Sequence, residues 1–131
     1  MLARAFAGTT VGVCGQVIQV EVDLSPGLPG INIVGLPDAS IKESRERIRS
    51  AIRNSDLKFP LQRITVNLAP AVLRKEGVNF DLAIACAILA ASEQLPQRDL
   101  TPVLCGELGL DGSIRPVRGA LALAADLPRH G

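Results

Sequence analysis

Four cations sit at Lys42, Arg45, Arg49 and Arg53, and the three arginines are spaced four residues apart. On a helix that spacing places them on one face as a ridge, with Lys42 a turn earlier on the same side. The chemistry on offer is recognition of anions, phosphates above all. Two readings stay open at this point. The face is either a solvated one, partly paired internally because Glu43 and Arg47 are also four apart, or a contact to nucleic acid or a second subunit. A second polar cluster, Arg74-Lys75-Glu76, precedes an apolar stretch; capping and docking that stretch is the favoured reading, and holding a ligand the alternative. Arg115 and Arg118 are guanidines rather than amines, suited to bidentate pairing with a phosphate or with a carboxylate of a neighbouring domain.

Other chemistry is thinly supplied. There is no G-x-x-x-x-G-K-[ST] and no G-x-G-x-x-G between strand and helix, so a backbone cradle for ATP is missing from the sequence. His130 is the sole histidine and sits next to the last residue, where a catalytic triad or metal site has nothing to fix it. Cys14, Cys86 and Cys105 are odd in number, with no C-x-x-C among them, which points away from disulfides and zinc and toward a reducing cytosol. With no Trp, no Tyr and three Phe, a base-stacking platform is excluded, and Phe59 and Phe80 read as core anchors. Fourteen Lys and Arg against 13 Asp and Glu leave a formal charge of +1, too little for a free-standing cationic DNA binder.

The elements that must carry these residues follow from hydropathy. Alternation over Val17–Leu24 predicts a half-buried strand. The Thr/Val/Gly-rich stretch Arg4–Val13 precedes it, with Cys14-Gly15 as the reversal. Ile31–Val34 predicts another strand, stopped by Gly35 and Pro37. Ser40-Ile41-Lys42-Glu43 has the form of a capping box and opens a helix ended by Asn54-Ser55, with Ile41, Ile48, Ala51 and Ile52 on its buried side. Arg63–Leu68 alternates as a strand. Phe80 to about Ala91 is apolar nearly all round and predicts a central helix, served at its start by Asn79 or Asp81; it is too short to span a bilayer. Val103–Cys105 predicts a buried strand, Asp111-Gly112 a turn, Ile114–Val117 a return segment, and about Ala120 to Asp126 a third helix. The 47% hydrophobic content supplies one core for 131 residues. The class is α/β or α+β with one mixed sheet, as a single domain over 1–131. The opening MLARAFAG lacks an apolar run of signal-peptide length, so a cytoplasmic, membrane-free protein is expected.

Several segments together resemble one family: Pro29-Gly30-Ile31-Asn32-Ile33-Val34-Gly35-Leu36-Pro37-Asp38, Lys42–Arg47, Ile64-Thr65-Val66-Asn67-Leu68-Ala69-Pro70, Arg74-Lys75-Glu76-Gly77, Phe80-Asp81-Leu82 and Gly106-Glu107-Leu108-Gly109-Leu110-Asp111-Gly112. They look like the amino-terminal domain of the ComM/YifB family of magnesium-chelatase-like AAA+ ATPases. The resemblance implies a Lon-protease-like fold of the ribosomal-protein-S5-domain-2-like group, shared with the carboxy-terminal domain of RadA-type ATPases. It implies an ATPase module downstream that uses ATP and Mg, a homo-hexameric ring, DNA passing through that ring during branch migration, and a link to competence. Metal chelation, which the family name suggests, finds too few His and thiol ligands in this stretch, so no cofactor or metal is expected in this chain.

Laid on the Lon active-site segments, Asn79 falls where the nucleophilic Ser stands and Leu121 where the Lys stands. An amide is no alkoxide and Leu takes no proton, so a catalytically inert domain is expected. No Ser lies between Ser55 and Ser92 and no Lys follows Lys75, so a slip in the overlay leaves this unchanged. The expectation is a module for ring assembly and DNA guidance through Lys42, Arg45, Arg49, Arg53, Arg74, Lys75, Arg115 and Arg118. A domain that only docks on the ATPase ring, and a residual peptidase pairing Ser113 with Lys75, are the rivals.

Overall fold

A computed structural model describes residues 2–11, 14–69, 75, 80–100, 103–104 and 106–115. Strands β1 (Leu2–Val11), β2 (Cys14–Ser25) and β3 (Gly30–Val34) come first, followed by helix α1 (Ala39–Asn54). Strand β4 (Arg63–Ala69), helix α2 (Asp81–Ala91) and a 3-10 turn (Gln97–Leu100) lead to β5 (Val103–Leu104), β6 (Glu107–Leu108) and β7 (Ile114–Arg115).

The main sheet is mixed and five-stranded, in the order β3-β4-β2-β1-β5. β2 runs antiparallel to both β1 and β4, while β3 is parallel to β4 and β5 parallel to β1. The crossover from β3 to its parallel neighbour β4 is long because it contains α1, which makes a βαβ unit. The two-residue strands β6 and β7 pair as a separate antiparallel hairpin.

Alternation decides which face is covered. Ala3, Ala5 and Ala7 of β1, Ile18, Val20, Val22 and Leu24 of β2, Ile64, Val66 and Leu68 of β4, and Ile31 and Ile33 of β3 all point to one side and are buried. Both helices lie on that side. Ala3, Ala5 and Ala7 of β1 share this core with Ala83, Ile84, Ala87 and Ile88 of α2, which packs against β1 and β2. α1 seats Ile41, Ile48, Ala51 and Ile52 on the same core, each large side chain contributing about 1.5–3 kcal/mol by leaving water. The other face of the sheet is polar: Glu21 stands opposite Arg4 and Asn67, and takes the Arg4 Nε–H at 3.3 Å and the Asn67 Nδ2–H at 3.1 Å.

Several local expectations are corrected. Cys14 and Gly15 are not a reversal but the first residues of β2, in register with Val11 and Thr10. The N-cap of α1 is Asp38, whose Oδ1 accepts the Ile41 N–H at 2.9 Å, rather than Ser40. The N-cap of α2 is Phe80, with no side-chain cap; the Leu82 N–H goes instead to the Gly106 carbonyl at 3.1 Å. Val103–Leu104 is half-buried rather than buried, because β5 is an edge. The third helix, about 120–126, lies outside the described residues.

Candidate functional site

The site is built on α1. Its core-facing residues fix the rotation of the helix, and that rotation puts Lys42, Arg45 and Arg53 into solvent and leaves Arg49 half-exposed, as the spacing of four predicts. The Arg45 Nε–H folds back on the Lys42 carbonyl at 2.9 Å. Arg49 makes a 3.4 Å ion pair with Glu46, itself 75% exposed, so the pair neutralises little in water. Arg53 stands in the last turn, where a cation complements the helix dipole.

Phe59 joins this ridge from the following loop. The guanidinium carbons of Arg49 and Arg53 lie over its ring, 5.5 and 5.7 Å from the centroid. The loop is pinned just before it: the side-chain amide of Gln94 accepts the Lys58 N–H at 2.9 Å and donates to the Lys58 carbonyl at 2.7 Å. Phe59 is therefore half-buried against the core on one side and a platform for two arginines on the other. Reading it as a core anchor alone missed the second role, and only its position six residues after Arg53 hinted at it.

Arg47 leaves the ridge. It does not pair with Glu43; its Nε–H reaches the Asp81 carboxylate at 2.7 Å, and Nη2 also donates to the Ser40 carbonyl at 3.1 Å. Asp81, which the sequence offered as a cap for α2, instead receives Arg47 and the Leu108 N–H at 3.1 Å. Burial pushes the Asp81 carboxyl up, and the Arg47 guanidinium and the Leu108 N–H pull it part of the way back. Bonding to Asp81 raises the Arg47 guanidinium above its ordinary value. This pair ties α1, α2 and the β6–β7 hairpin together behind the ridge.

Lys75 is also not where a surface contact needs it. It is fully buried, and burial lowers its ammonium pKa. Its backbone bridges the loop after β3: the Lys75 N–H donates to the Leu36 carbonyl at 2.9 Å and the Asp38 N–H to the Lys75 carbonyl at 3.0 Å. The expectation of Lys75 as a DNA or interdomain contact is revised accordingly. Arg115 closes β7 in register with Glu107. Arg74, Asn79, Arg118 and Leu121 lie outside the described residues.

The peptidase pairing of Ser113 with Lys75 is opposed by geometry. The Lys75 backbone is bonded at the N-terminal end of α1, whereas Gly112, next to Ser113, packs on Ser55 and the Ala51 carbonyl at the other end. Sixteen helical residues, about 24 Å, lie between. Among the described residues no group of three or more His, Cys, Asp or Glu could hold a metal ion. No helix among them is long and apolar enough to cross a membrane.

Comparison with known proteins now decides the family. Residues 20–131 match the family model for subunit ChlI of Mg-chelatase. The chain belongs to this magnesium-chelatase ChlI family. Within it, the chain is 50% identical to the YifB protein of Salmonella typhimurium over 131 residues, 99% of this chain and 26% of that protein. It is 47% identical to the competence protein ComM of Haemophilus influenzae over 121 residues, 92% of this chain and 24% of that one. The chain thus spans about a quarter of the length of these curated relatives. It is also 29% identical to Lon protease 2 of Thermus thermophilus over 119 residues, 85% of this chain and 14% of that enzyme. The mixed α/β sheet together with this likeness makes the fold Lon-like, as the family resemblance implied.

Proposed function

We propose that this domain is a catalytically inert Lon-like module of a ComM-type magnesium-chelatase-like ATPase, which assembles with its ATPase module into a hexameric ring and guides DNA along that ring during branch migration. The observation that carries the reading is the row of cations on α1: Lys42, Arg45, Arg49 and Arg53 share one outward face, and the acids beside them, Glu43 and Glu46, are fewer and exposed. Such a face meets phosphate without reading bases. One copy binds weakly because a single helix face offers only four cations, and six copies on a ring act together through effective concentration. The missing dyad supports inertness, since the sequence puts Asn79 and Leu121 where a Lon peptidase needs its Ser and Lys.

The test is fluorescence anisotropy of a labelled duplex of about 30 base pairs at low salt, titrated with the chain alone and with six copies displayed on an unrelated hexameric scaffold. The triple variant Arg45→Ala, Arg49→Ala, Arg53→Ala is expected to bind about tenfold or more weakly in the displayed form and to reduce the salt slope by about 0.9 for each phosphate it ceases to neutralise. Unchanged affinity and slope would remove α1 from DNA guidance and leave the face to docking on the ATPase ring.

A further inference from the structure

Two arginines one turn apart on an exposed helix ordinarily wander over many rotamers, and each loses that freedom when it grips a ligand. Here they do not wander independently. Arg49 and Arg53 both hold their guanidinium carbons over one aromatic ring, 5.5 and 5.7 Å from its centre, so both cations stand within about 6 Å of a single point. The ring is itself fixed. Phe59 packs on the core, and the residue before it is clamped through both backbone groups by the Gln94 amide, which is set in turn by the Ser92 hydroxyl at 2.9 Å. Lys58, the residue before Phe59, is exposed.

We propose that Arg49, Arg53 and Phe59 form a preorganised clamp for the phosphodiester backbone, in which Phe59 touches no phosphate and acts as the positioning residue that holds the two guanidinium groups as a pair. The proposal rests on the DNA-guiding reading above and sharpens it from a diffuse basic face to one site. The chemistry fits: a guanidinium held over an aromatic face can turn N–H groups to a phosphate oxygen, the exposed Glu46 carboxylate 3.4 Å from Arg49 being a partner that phosphate replaces, and holding the group beforehand lowers the entropy cost of the grip. Contacts to the phosphodiester backbone read no base edge, so the clamp is indifferent to sequence.

The experiment separates a clamp from a mere sum of charges, because Phe59→Leu alters no charge. With the anisotropy assay on the displayed chain, Phe59→Leu is expected to weaken duplex binding about three- to fivefold, a large part of the loss produced by Arg49→Ala with Arg53→Ala. Phe59→Trp, which keeps a cation-binding face, is expected to restore affinity. If Phe59→Leu binds as the unaltered chain does while the double arginine variant is weakened, the clamp is overturned and the DNA reading stands. If the double arginine variant is also unaffected, both fall. Should Phe59→Leu fail to fold by circular dichroism, the unaltered chain supplies the measurement: duplex titration should shift the Nε–Hε NMR signals of Arg49 and Arg53 together and more than that of Arg45. Equal shifts at all three arginines would overturn the clamp.

Discussion

At the scale of single residues, the loop after β3 concentrates opposite demands in adjacent positions. Gly35 has φ +101°, and a Cβ there would collide with the Leu68 carbonyl and backbone N–H of β4. Leu36 has φ +58° and is 52% exposed, so a branched apolar residue occupies a left-handed conformation without burial to compensate it. The loop cannot relax freely, because the Leu36 carbonyl and the Asp38 N–H are both bonded to Lys75. Gly35→Ala is expected to destabilise by about 2–4 kcal/mol, combining the φ penalty with the collision. Leu36→Asn is expected to be neutral or to stabilise by about 0.5–1 kcal/mol, since Asn tolerates the left-handed region. Urea denaturation of both variants checks the contrast, and similar losses at the two positions would mean that packing of Leu36, not its backbone, matters.

Among elements, the two helices are held by Arg47 and Asp81, whose side chains are 19% and 1% exposed. Arg47→Ala would leave the carboxylate buried with only the Leu108 N–H, an expected loss of about 3 kcal/mol at neutral pH. The pH dependence follows from the direction of the Asp81 shift. Its folded pKa is raised, so the folded state keeps the proton more tightly than the unfolded chain. Its contribution is therefore fully present below the ordinary carboxyl pKa and is lost as pH rises through the folded value. Without Arg47 that folded value climbs further. The stability gap between Arg47→Ala and the unaltered chain should thus widen from about pH 4 to about pH 7, as measured by urea midpoints at each pH. This junction also shows where sequence reading stopped. The period of α1, the alternation of β2 and β4, and the apolar girth of α2 were legible because each is local. The Arg47–Asp81 pair spans 34 residues, and Asp81 looked like a cap only because caps are local too. Gly15 suggested a turn by type, yet it pairs with Thr10 inside a ladder. The ridge was legible as spacing, whereas Phe59 joined it through a loop with no period, and nothing local in the sequence marked Lys75 as buried.

For the molecule as a whole, the proposed DNA guidance raises the question of how a chain of formal charge +1 would bind a polyanion. The two layers separate the charges. α1 turns its cations away from the core, while the opposite, polar face of the sheet carries Glu21 and Asp23 beside Arg4. A sheet packed under a helix puts these faces more than about 10 Å apart, beyond the roughly 8 Å over which charge acts in physiological salt. Net charge is then the wrong predictor and position the right one. Asp23→Lys raises the formal charge by two on the open face. It is expected to change duplex affinity less than about twofold at physiological salt and to leave the salt slope where it was, because no further phosphate is neutralised. Arg49→Ala with Arg53→Ala lowers the charge by the same amount and is expected to reduce the slope by about 1.8, the share of two phosphates. If Asp23→Lys instead strengthens binding as much as the arginine pair weakens it, DNA is attracted by overall charge rather than received at α1, and the helix has no privileged place on the ring.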